Sequence, residues 1–315
     1  MNAVSSFSGH VFAEMGKVIV GQEALKRGCL VALLCEGHAL IEGVPGVAKT
    51  LAVRTLARLL GLSYQRVQCT ADLMPADIVG TTIVNVTTAE FQFHPGPVFT
   101  EMLLVDEINR MPPRTQAALL ECMEERQVTV DGVRHALPAL FSVFATQNPI
   151  EFEGTYPLPE AQLDRFLLRI RVPYPELSEE VQVLARAQGG FDARHLEQVP
   201  LTPAEPGSIA AARSEVAQVT VEQSLLSYIV NLVRTTREWP AVSLGASPRA
   251  AVNVMRVSKA IAAIDGRDYV IPDDVKDAAS MTLGHRLVLK PEADLEGVTA
   301  EQVLADVVRS IDVPQ

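Results

Sequence analysis

The sequence has no apolar run that approaches the length of a membrane span, and residues 1–10 lack the charged start and apolar core of a signal peptide. It also has no excess of basic residues: the formal net charge is −11, which argues against a broad nucleic-acid-binding face. Its cysteines are scattered without metal-type spacing, which indicates buried thiols in a reducing compartment. They are Cys29, Cys35, Cys69 and Cys122. We therefore expect a cytoplasmic protein.

The composition is that of a folded protein with a substantial core. The chain has 315 residues, of which 48% are hydrophobic and 21% charged, enough for two domains. Neither an internal repeat nor a low-complexity tract interrupts it.

A glycine-rich turn lies between the apolar run Ala39–Ile41 and the helical pattern Leu51–Leu60. This strand–turn–helix context is the one a phosphate-binding P-loop requires, because the loop amides and the helix N-terminus then point at one anion. Lys49 would reach the β- and γ-phosphates, and Thr50 would bind Mg²⁺. Ala48 stands where the strict pattern has glycine, and an ordinary connection is the alternative. The turn consists of Gly43, Val44, Pro45, Gly46, Val47, Ala48, Lys49 and Thr50.

Short apolar runs alternate with helical patterns through the first 190 residues or so. Such runs are typical of a parallel sheet covered by helices on both faces, with ligand chemistry at the carboxyl ends of its strands. We therefore predict an α/β fold, preceded by a helical region to Glu36 that is broken near Gly21. The runs are Ala39–Ile41, Arg66–Cys69, Met102–Val105, Ser142–Ala145 and Phe166–Val172.

Two hairpin-like insertions interrupt this alternation. The first pairs Thr82–Val86 with Glu90–Phe93, and the second pairs Gln127–Val130 with Val133–Leu137 across an Asp-Gly turn. Their solvent-facing residues could contact a partner or simply be solvated.

The pattern beyond Val221 is helical only. We predict helices over Val221–Arg237, from Ser247-Pro248 through Ala263, from Pro272, and from near Thr299. The predicted organisation is an α/β domain at 1–190, a linking segment at 191–220 and a smaller all-helical domain at 221–315.

The run Met102–Val105 is followed by Asp106 and Glu107. An Asp at this strand end can hold Mg²⁺ opposite the Thr50 hydroxyl, and Glu107 could polarise a water that attacks the γ-phosphate. Alone, the two acids could be a strand end facing water. Their order after the P-loop favours a nucleotide site.

Three further polar residues are candidates for phosphate chemistry. Asn148 follows another strand and could help Glu107 orient the water, or be an Asn-Pro turn residue. Arg165 could clamp the γ-phosphate of a neighbouring subunit, or pair with the adjacent Asp164. Arg249 lies in the first turn of a predicted helix, where a cation is unfavourable, and this suggests a partner anion such as the nucleotide; a solvated arginine is the alternative.

Four segments together resemble the MoxR-type AAA+ ATPases, from about Val20 to about Arg286. They are GVPGVAKT, LLVDEINRMPPRTQAALLECMEE, FATQNPIEFEGTYPLPEAQLDRF and GASPRA. The resemblance implies a P-loop AAA+ core and a helical lid. It implies that the segment near 80–97 is the helix-2 insert and that near 126–138 the pre-sensor-1 hairpin, both facing the pore of a ring. An extra helix would lie at about 206–219.

The resemblance also implies roles for single residues. Asn148 matches sensor 1, Arg165 the arginine finger and Arg249 sensor 2. The segment that touches adenine is Val20, Gly21 and Gln22, and the nucleotide-binding set extends to Leu51. The implied ligands are ATP and Mg²⁺. The implied partners are further copies in a hexameric ring, protein clients, and a protein with a von Willebrand factor A domain. The resemblance also implies a role in the maturation of metalloenzymes or other complexes.

The leading hypothesis is an ATP-hydrolysing ring that remodels proteins. A nucleic-acid motor is an alternative, since Arg134 and His135 give the second hairpin its only basic residues, but the acidic charge disfavours it. A nucleotide-dependent scaffold without turnover and a small-molecule P-loop kinase are the remaining alternatives. The latter needs an acceptor-binding lid, for which the sequence offers no candidate residues.

Overall fold

The computed structural model describes residues 3–85, 90–149 and 154–314. The strands are β1 Ala39–Gly43, β2 Tyr64–Gln68, β3 Gly80–Asn85, β4 Glu90–Pro95, β5 Met102–Asp106, β6 Gln127–Val130, β7 Val133–Ala136, β8 Ser142–Gln147, β9 Leu168–Val172, β10 Val242–Leu244 and β11 Val288–Leu289. The helices are α1 Ala3–Gly16, α2 Glu23–Leu34, α3 Lys49–Leu60, α4 Pro75–Val79, α5 Pro113–Glu125, α6 Glu160–Leu163, α7 Leu177–Gln188, α8 Ser208–Gln218, α9 Gln223–Glu238, α10 Pro248–Ile264, α11 Pro272–Thr282, α12 Pro291–Leu295 and α13 Ala300–Ser310. Short 3₁₀ turns cover Ile108–Arg110, Ala193–Gln198 and Gly284–Arg286.

The predicted parallel sheet is confirmed. Its strand order is β2-β5-β8-β1-β9, and every neighbouring pair is parallel. The strand predicted at Arg66–Cys69 begins two residues earlier, at Tyr64, and its side chains are mostly exposed because it lies at the sheet edge. The carboxyl ends of β1, β5 and β8 therefore meet at one edge, where the P-loop follows β1.

Helices cover both faces of the sheet, as the continuous apolar runs predicted. Successive side chains of one strand enter different cores: Leu104 packs with α2 and α3, whereas Leu103 and Val105 pack with α5. The core on the α2 and α3 side continues into the C-terminal helices. The second part of the chain is therefore packed on the first.

Both predicted hairpins form antiparallel ribbons, β3–β4 and β6–β7. Val86, placed in the first hairpin by the sequence, lies outside the described residues. Asp131 and Gly132 both have positive φ, as a tight two-residue turn requires. The His135 ring stacks on Phe93 with ring centroids 4.1 Å apart, so the two hairpins contact each other.

The C-terminal region is helical, and its predicted helices are confirmed as α9, α10, α11 and α13. Ser247 caps α10 by accepting from the Ala250 amide at 3.3 Å. The expectation of helices only was wrong, since β10 and β11 pair antiparallel in a ribbon too short for local pattern to reveal. Helix α8 lies where the extra helix was expected. The boundaries 1–190, 191–220 and 221–315 stay a prediction.

The four cysteines are free and buried, as predicted. Burial raises the pKa of each thiol to about 12, so these side chains act as small apolar groups. Among the described residues, no helix is long and apolar enough to cross a membrane.

Candidate nucleotide-binding site

The glycine-rich turn joins the carboxyl end of β1 to the first turn of α3, as predicted. Gly46 and Ala48 both have a left-handed backbone, with φ of 86° and 64°. Ala48 thus occupies the conformation that the strict pattern leaves to glycine, at a cost of about 1–2 kcal/mol. A side chain on Gly43 would come within 2.7 Å of the Val172 carbonyl oxygen, so the strand end must be glycine. The loop is shaped by backbone requirements at these positions.

Lys49 begins α3 and reaches back over the loop. Its ammonium group donates to the carbonyl oxygen of Gly43 and, at 3.4 Å, to that of Gln147. These carbonyl groups end β1 and β8, so the Lys49 charge lies at the carboxyl edge of the sheet.

The next residue, Thr50, contacts the carboxylate expected to hold a metal with it. Its hydroxyl donates to Asp106 Oδ2 at 3.2 Å, and the Thr146 hydroxyl donates to Asp106 Oδ1 at 2.5 Å. Asp106 is buried and has a fixed orientation. A hydroxyl and one carboxylate, completed by phosphate oxygens and water, suit Mg²⁺. Among the described residues no group of three or more His, Cys, Asp or Glu side chains could hold an ion without such help.

Arg66 on β2 also contacts Asp106, and the sequence did not indicate it. Arg66 Nε and Nη2 donate to Asp106 Oδ2 at 3.1 and 2.7 Å, the same oxygen that Thr50 contacts. Arg66 reads in sequence as a polar residue of a strand. Only the register of β2 on β5, which pairs Gln68 with Asp106, brings it to this carboxylate.

Glu107 lies just beyond β5 with φ of 59°, which is unusual for a residue other than glycine. Its amide donates to the Thr146 hydroxyl at 2.9 Å. Its carboxylate oxygen Oε2 accepts from Gln68 Nε2 and from Arg110 Nη1, each at 3.2 Å. Backbone strain and three contacts therefore aim this carboxylate, a pattern that occurs at functional sites.

Most of the predicted nucleotide residues surround one cavity of about 500 Å³. Asn148, which is buried, and Glu107 line it together with Asp106. The predicted binding residues that line it are Val20, Gln22, Pro45, Gly46, Val47, Ala48, Lys49, Thr50 and Leu51. Gly21, Gly43 and Val44 do not line it.

The sequence analysis did not identify all the residues that line this cavity. Helix α7 contributes Val183 and Arg186, and the chain beyond it contributes Phe191 and Ala193. Arg186 donates to the carbonyl oxygens of Lys17 and Gly16, so α7 is tied to the end of α1. Nothing in the local pattern of residues 177–193 indicated a ligand. The wall is mainly apolar, as a purine base requires.

The segment predicted to contact adenine lies just before α2. Gly21 and Gln22 both have a left-handed backbone, and the Gln22 side chain donates through Nε2 to the Pro173 carbonyl oxygen at 3.1 Å. A side chain at Gly21 would overlap the Glu179 carboxylate. Gly21 therefore allows α7 to approach, while Val20 and Gln22 face the cavity.

Arg165 and Arg249 lie together, but away from this cavity. Arg165 Nε pairs with Glu124 Oε2 at 3.1 Å, and Arg249 Nη1 pairs with Glu124 Oε1 at 3.0 Å. The anion near Arg249 within this chain is thus Glu124. The alternative pairing of Arg165 with Asp164 does not occur, because Asp164 pairs with Arg286 at 2.6 Å. Both arginines line a separate polar cavity of about 280 Å³ with Arg126 and Arg256.

A parallel-sheet P-loop domain that carries a helical lid is the architecture of AAA+ ATPases. Residues 38–168 match the family described as "ATPase family associated with various cellular activities (AAA)", and residues 234–307 match the AAA lid domain. The chain is 46% identical to the uncharacterized protein YeaC of Bacillus subtilis over 97% of its own length and 94% of the relative's. It is 43% identical to Chaperone MoxR1 of Mycobacterium tuberculosis over 96% of its length and 81% of the relative's.

A solved crystal structure supports the same assignment. A candidate ATPase from Cytophaga hutchinsonii superposes with a TM-score of 0.89 at 40% identity, covering 99% of this chain and 97% of that one. The chain belongs to the MoxR-type AAA+ ATPases.

Proposed function

We propose that this chain hydrolyses ATP with Mg²⁺ and couples the hydrolysis to remodelling of protein clients. The observation that carries the proposal is the meeting of Lys49, Thr50, Asp106, Glu107 and Asn148 around one cavity at the carboxyl edge of the sheet. Their chemistry is a cation and amides for phosphates, a hydroxyl and carboxylate for metal, and a second carboxylate for water.

The role of each residue follows from its contacts. The loop amides and Lys49 bind the β- and γ-phosphates. Thr50 and Asp106 hold Mg²⁺, which supplies charge neutralisation when bound. Glu107, aimed by Gln68 and by the Thr146 hydroxyl, accepts a proton from the attacking water, and Asn148 orients that water. The apolar wall near Val20 and Val183 takes the base.

We propose further that the site is completed by a neighbouring copy. Arg165 and Arg249 do not line the nucleotide cavity of their own chain but lie in a cluster with Arg126 and Arg256. A γ-phosphate brought to that cluster by another subunit would replace Glu124 as the acceptor. Repeating this contact generates a ring, for which we propose six subunits.

The surface beside the nucleotide cavity favours such a contact. Helix α7 has no buried residue, and it exposes Leu177, Val181 and Leu184 at helical spacing. The same helix begins with acidic residues: Glu176 is its N-cap, and Glu179 and Glu180 lie in its first turn. Their charge is opposite to that of the arginine cluster. An apolar stripe of this kind is typical of a protein-binding face.

Protein clients are favoured over nucleic acid by the two hairpins. Phe91, Val84 and Val133 are exposed there, with Phe91 80% accessible. His135, one of the two basic residues of the second hairpin, stacks on Phe93 instead of projecting freely. A relative named as a chaperone agrees with this preference. The proposed partner with a von Willebrand factor A domain and the cytoplasmic location rest on family resemblance and composition.

Two variants test the proposed chemistry. Lys49→Ala should abolish ATP binding measured by calorimetry at millimolar ATP and Mg²⁺. Glu107→Gln should keep binding and lose turnover, because its amide cannot accept the water's proton. Turnover retained by Glu107→Gln would remove Glu107 from this role. DNA-stimulated turnover that falls steeply with salt would favour a nucleic-acid motor instead.

A further inference from the structure

Arg286, in the 3₁₀ turn Gly284–Arg286 of the lid, lies against the segment that carries Arg165. Arg286 is buried, and all three nitrogens of its guanidinium group donate hydrogen bonds. Nε donates to Asp164 Oδ1 at 2.6 Å, Nη2 donates to the Asp164 and Phe166 carbonyl oxygens at 3.1 and 2.7 Å, and Nη1 donates to the carbonyl oxygens of Leu167 and Thr282. Four of these five acceptors belong to residues 164–167.

The neighbouring lid residue strengthens the same contact. His285 is buried, and its Nε2 lies 3.0 Å from the Phe166 carbonyl oxygen. Burial and the adjacent Arg286 lower the pKa of His285 well below its usual value, so the ring is neutral, and its Nε2 also lies 2.7 Å from Arg286 Nη1. The lid thus binds the main chain immediately before and immediately after Arg165.

The core holds this segment as well, because the Phe166 and Leu167 side chains are buried and the Leu167 amide donates to the His38 carbonyl oxygen at 2.8 Å. The segment connects the four-residue helix α6 to β9, and the Arg165 amide donates to the Gln162 carbonyl oxygen at 3.2 Å. The Arg165 side chain is about one-third exposed, at 31%, and ends on Glu124. Its direction therefore depends on a backbone that the core and the lid hold together, with Arg286 on the carbonyl oxygens of both Asp164 and Phe166.

We propose that Arg286 is a positioning residue that sets the direction of Arg165 toward the nucleotide of the neighbouring subunit. This inference rests on the proposed function, in which Arg165 acts in trans. It assigns the lid a role in the neighbour's hydrolysis: a lid movement shifts residues 164–167 and with them Arg165. Because five N–H groups in a fixed plane make the contact, lysine cannot replace arginine here.

The test uses mixtures of two kinds of subunit. A donor carries Glu107→Gln, so that it cannot hydrolyse ATP but supplies Arg165. An acceptor carries Arg165→Ala, so that it keeps its own Glu107 but needs an arginine from its neighbour. Equal amounts of donor and acceptor should regain turnover that neither has alone.

Arg286→Lys is then added to one kind of subunit at a time. In the donor it should lower the recovered turnover about 100-fold, the loss that a displacement of about 1 Å can cause. In the acceptor it should change turnover less than about threefold, since the acceptor's own Arg165 is absent. ATP affinity of both subunits should stay within the same threefold limit.

Arg267→Lys is the matched control. Arg267 also belongs to the lid and does not contact residues 164–167. It pairs in a bidentate manner with buried Asp274, through Nη1 to Oδ2 at 2.5 Å and through Nη2 to Oδ1 at 2.7 Å. It should lower turnover equally in donor and acceptor, or in neither.

The outcomes separate the two proposals. Mixtures without recovered turnover would refute the trans role of Arg165 and, with it, the role of Arg286. In a second outcome, turnover recovers in the mixture and Arg286→Lys then lowers it equally in the donor and in the acceptor, or in neither. That result would refute the Arg286 inference alone. A variant too unstable to assemble would lower turnover from both sides and so count against it.

Discussion

Replacing Arg66 with glutamine tests whether Arg66 and Mg²⁺ compete for Asp106. Both Arg66 contacts end on Asp106 Oδ2, the oxygen that also accepts from Thr50. Thr50 and Asp106 would hold the metal, and Arg66 would then compete with it for the Asp106 carboxylate. We therefore expect Arg66 to release Asp106 when metal binds, and its removal to favour the metal.

The size of the effect follows from exposure. The Arg66 side chain is 49% accessible and that of Asp106 12%, so the ion pair belongs to the partly solvated class worth about 0.2–1 kcal/mol. Removing a competitor of that strength should lower the Mg²⁺ concentration for half-maximal ATP turnover between about 1.5-fold and about fivefold.

The assay is steady-state ATP turnover across a magnesium titration at saturating ATP. Arg54→Gln is the matched control, because Arg54 is similarly exposed at 39% and pairs with Glu197 at 3.5 Å, not with Asp106. It removes one positive charge from α3, which follows the P-loop, without freeing the carboxylate. A higher magnesium requirement in Arg66→Gln than in Arg54→Gln would refute the competition and make Arg66 part of the binding site.

Two further predictions concern buried and shared charges. Burial lowers the pKa of His38 from 6.5 to about 4, so the fold favours the neutral ring. The resulting contribution to the free energy of unfolding is fully present above about pH 6.5, and about 3 kcal/mol of it is lost as the pH falls toward 4. Urea unfolding of His38→Gln, which cannot be protonated, should lack this part of the pH slope; an unchanged slope would contradict it. Glu124→Gln should change assembled turnover less than about fivefold, because its two ion pairs are partly exposed, at 37% for Glu124. Loss comparable to that of Arg165→Ala, about 10³-fold or more, would make Glu124 catalytic instead of a resting partner.

The features that the sequence predicted well are those that depend on residues close together along the chain. The P-loop between β1 and α3 needs a strand, a turn and a helix start in direct succession, and all three are visible within about twenty residues. The Ser247 cap and the acids at the start of α11 are equally local. Asp106 and Glu107 were placed correctly because a parallel sheet brings its carboxyl ends to one edge.

What sequence reasoning missed depends on pairing between distant segments. Arg66 reaches Asp106 only through the register of β2 on β5. The β10–β11 ribbon joins Val242 to Leu289 across most of the lid, and its strands have three and two residues. The choice of Glu124 for Arg165 likewise joins two distant segments of the core, and that of Arg286 for Asp164 depends on how the lid packs on the core.

The separation of the two charged clusters constrains the symmetry of any assembly. Lys49 and Asp106 line one cavity, and Arg165 and Arg249 line another, with no lining residue in common. In a dimer with two-fold symmetry residue i of one copy contacts residue j of the other and the reverse, so such a dimer completes both sites only where the two cavities belong to one patch. A head-to-tail contact joins two different patches, and it presents the arginines of one chain to the nucleotide of the next. Such contacts close as a ring or extend as a filament. For the proposed ring, native mass measurement of the Glu107→Gln protein with ATP should give a closed particle of about six chains. A discrete dimer at full ATP occupancy would refute the head-to-tail contact.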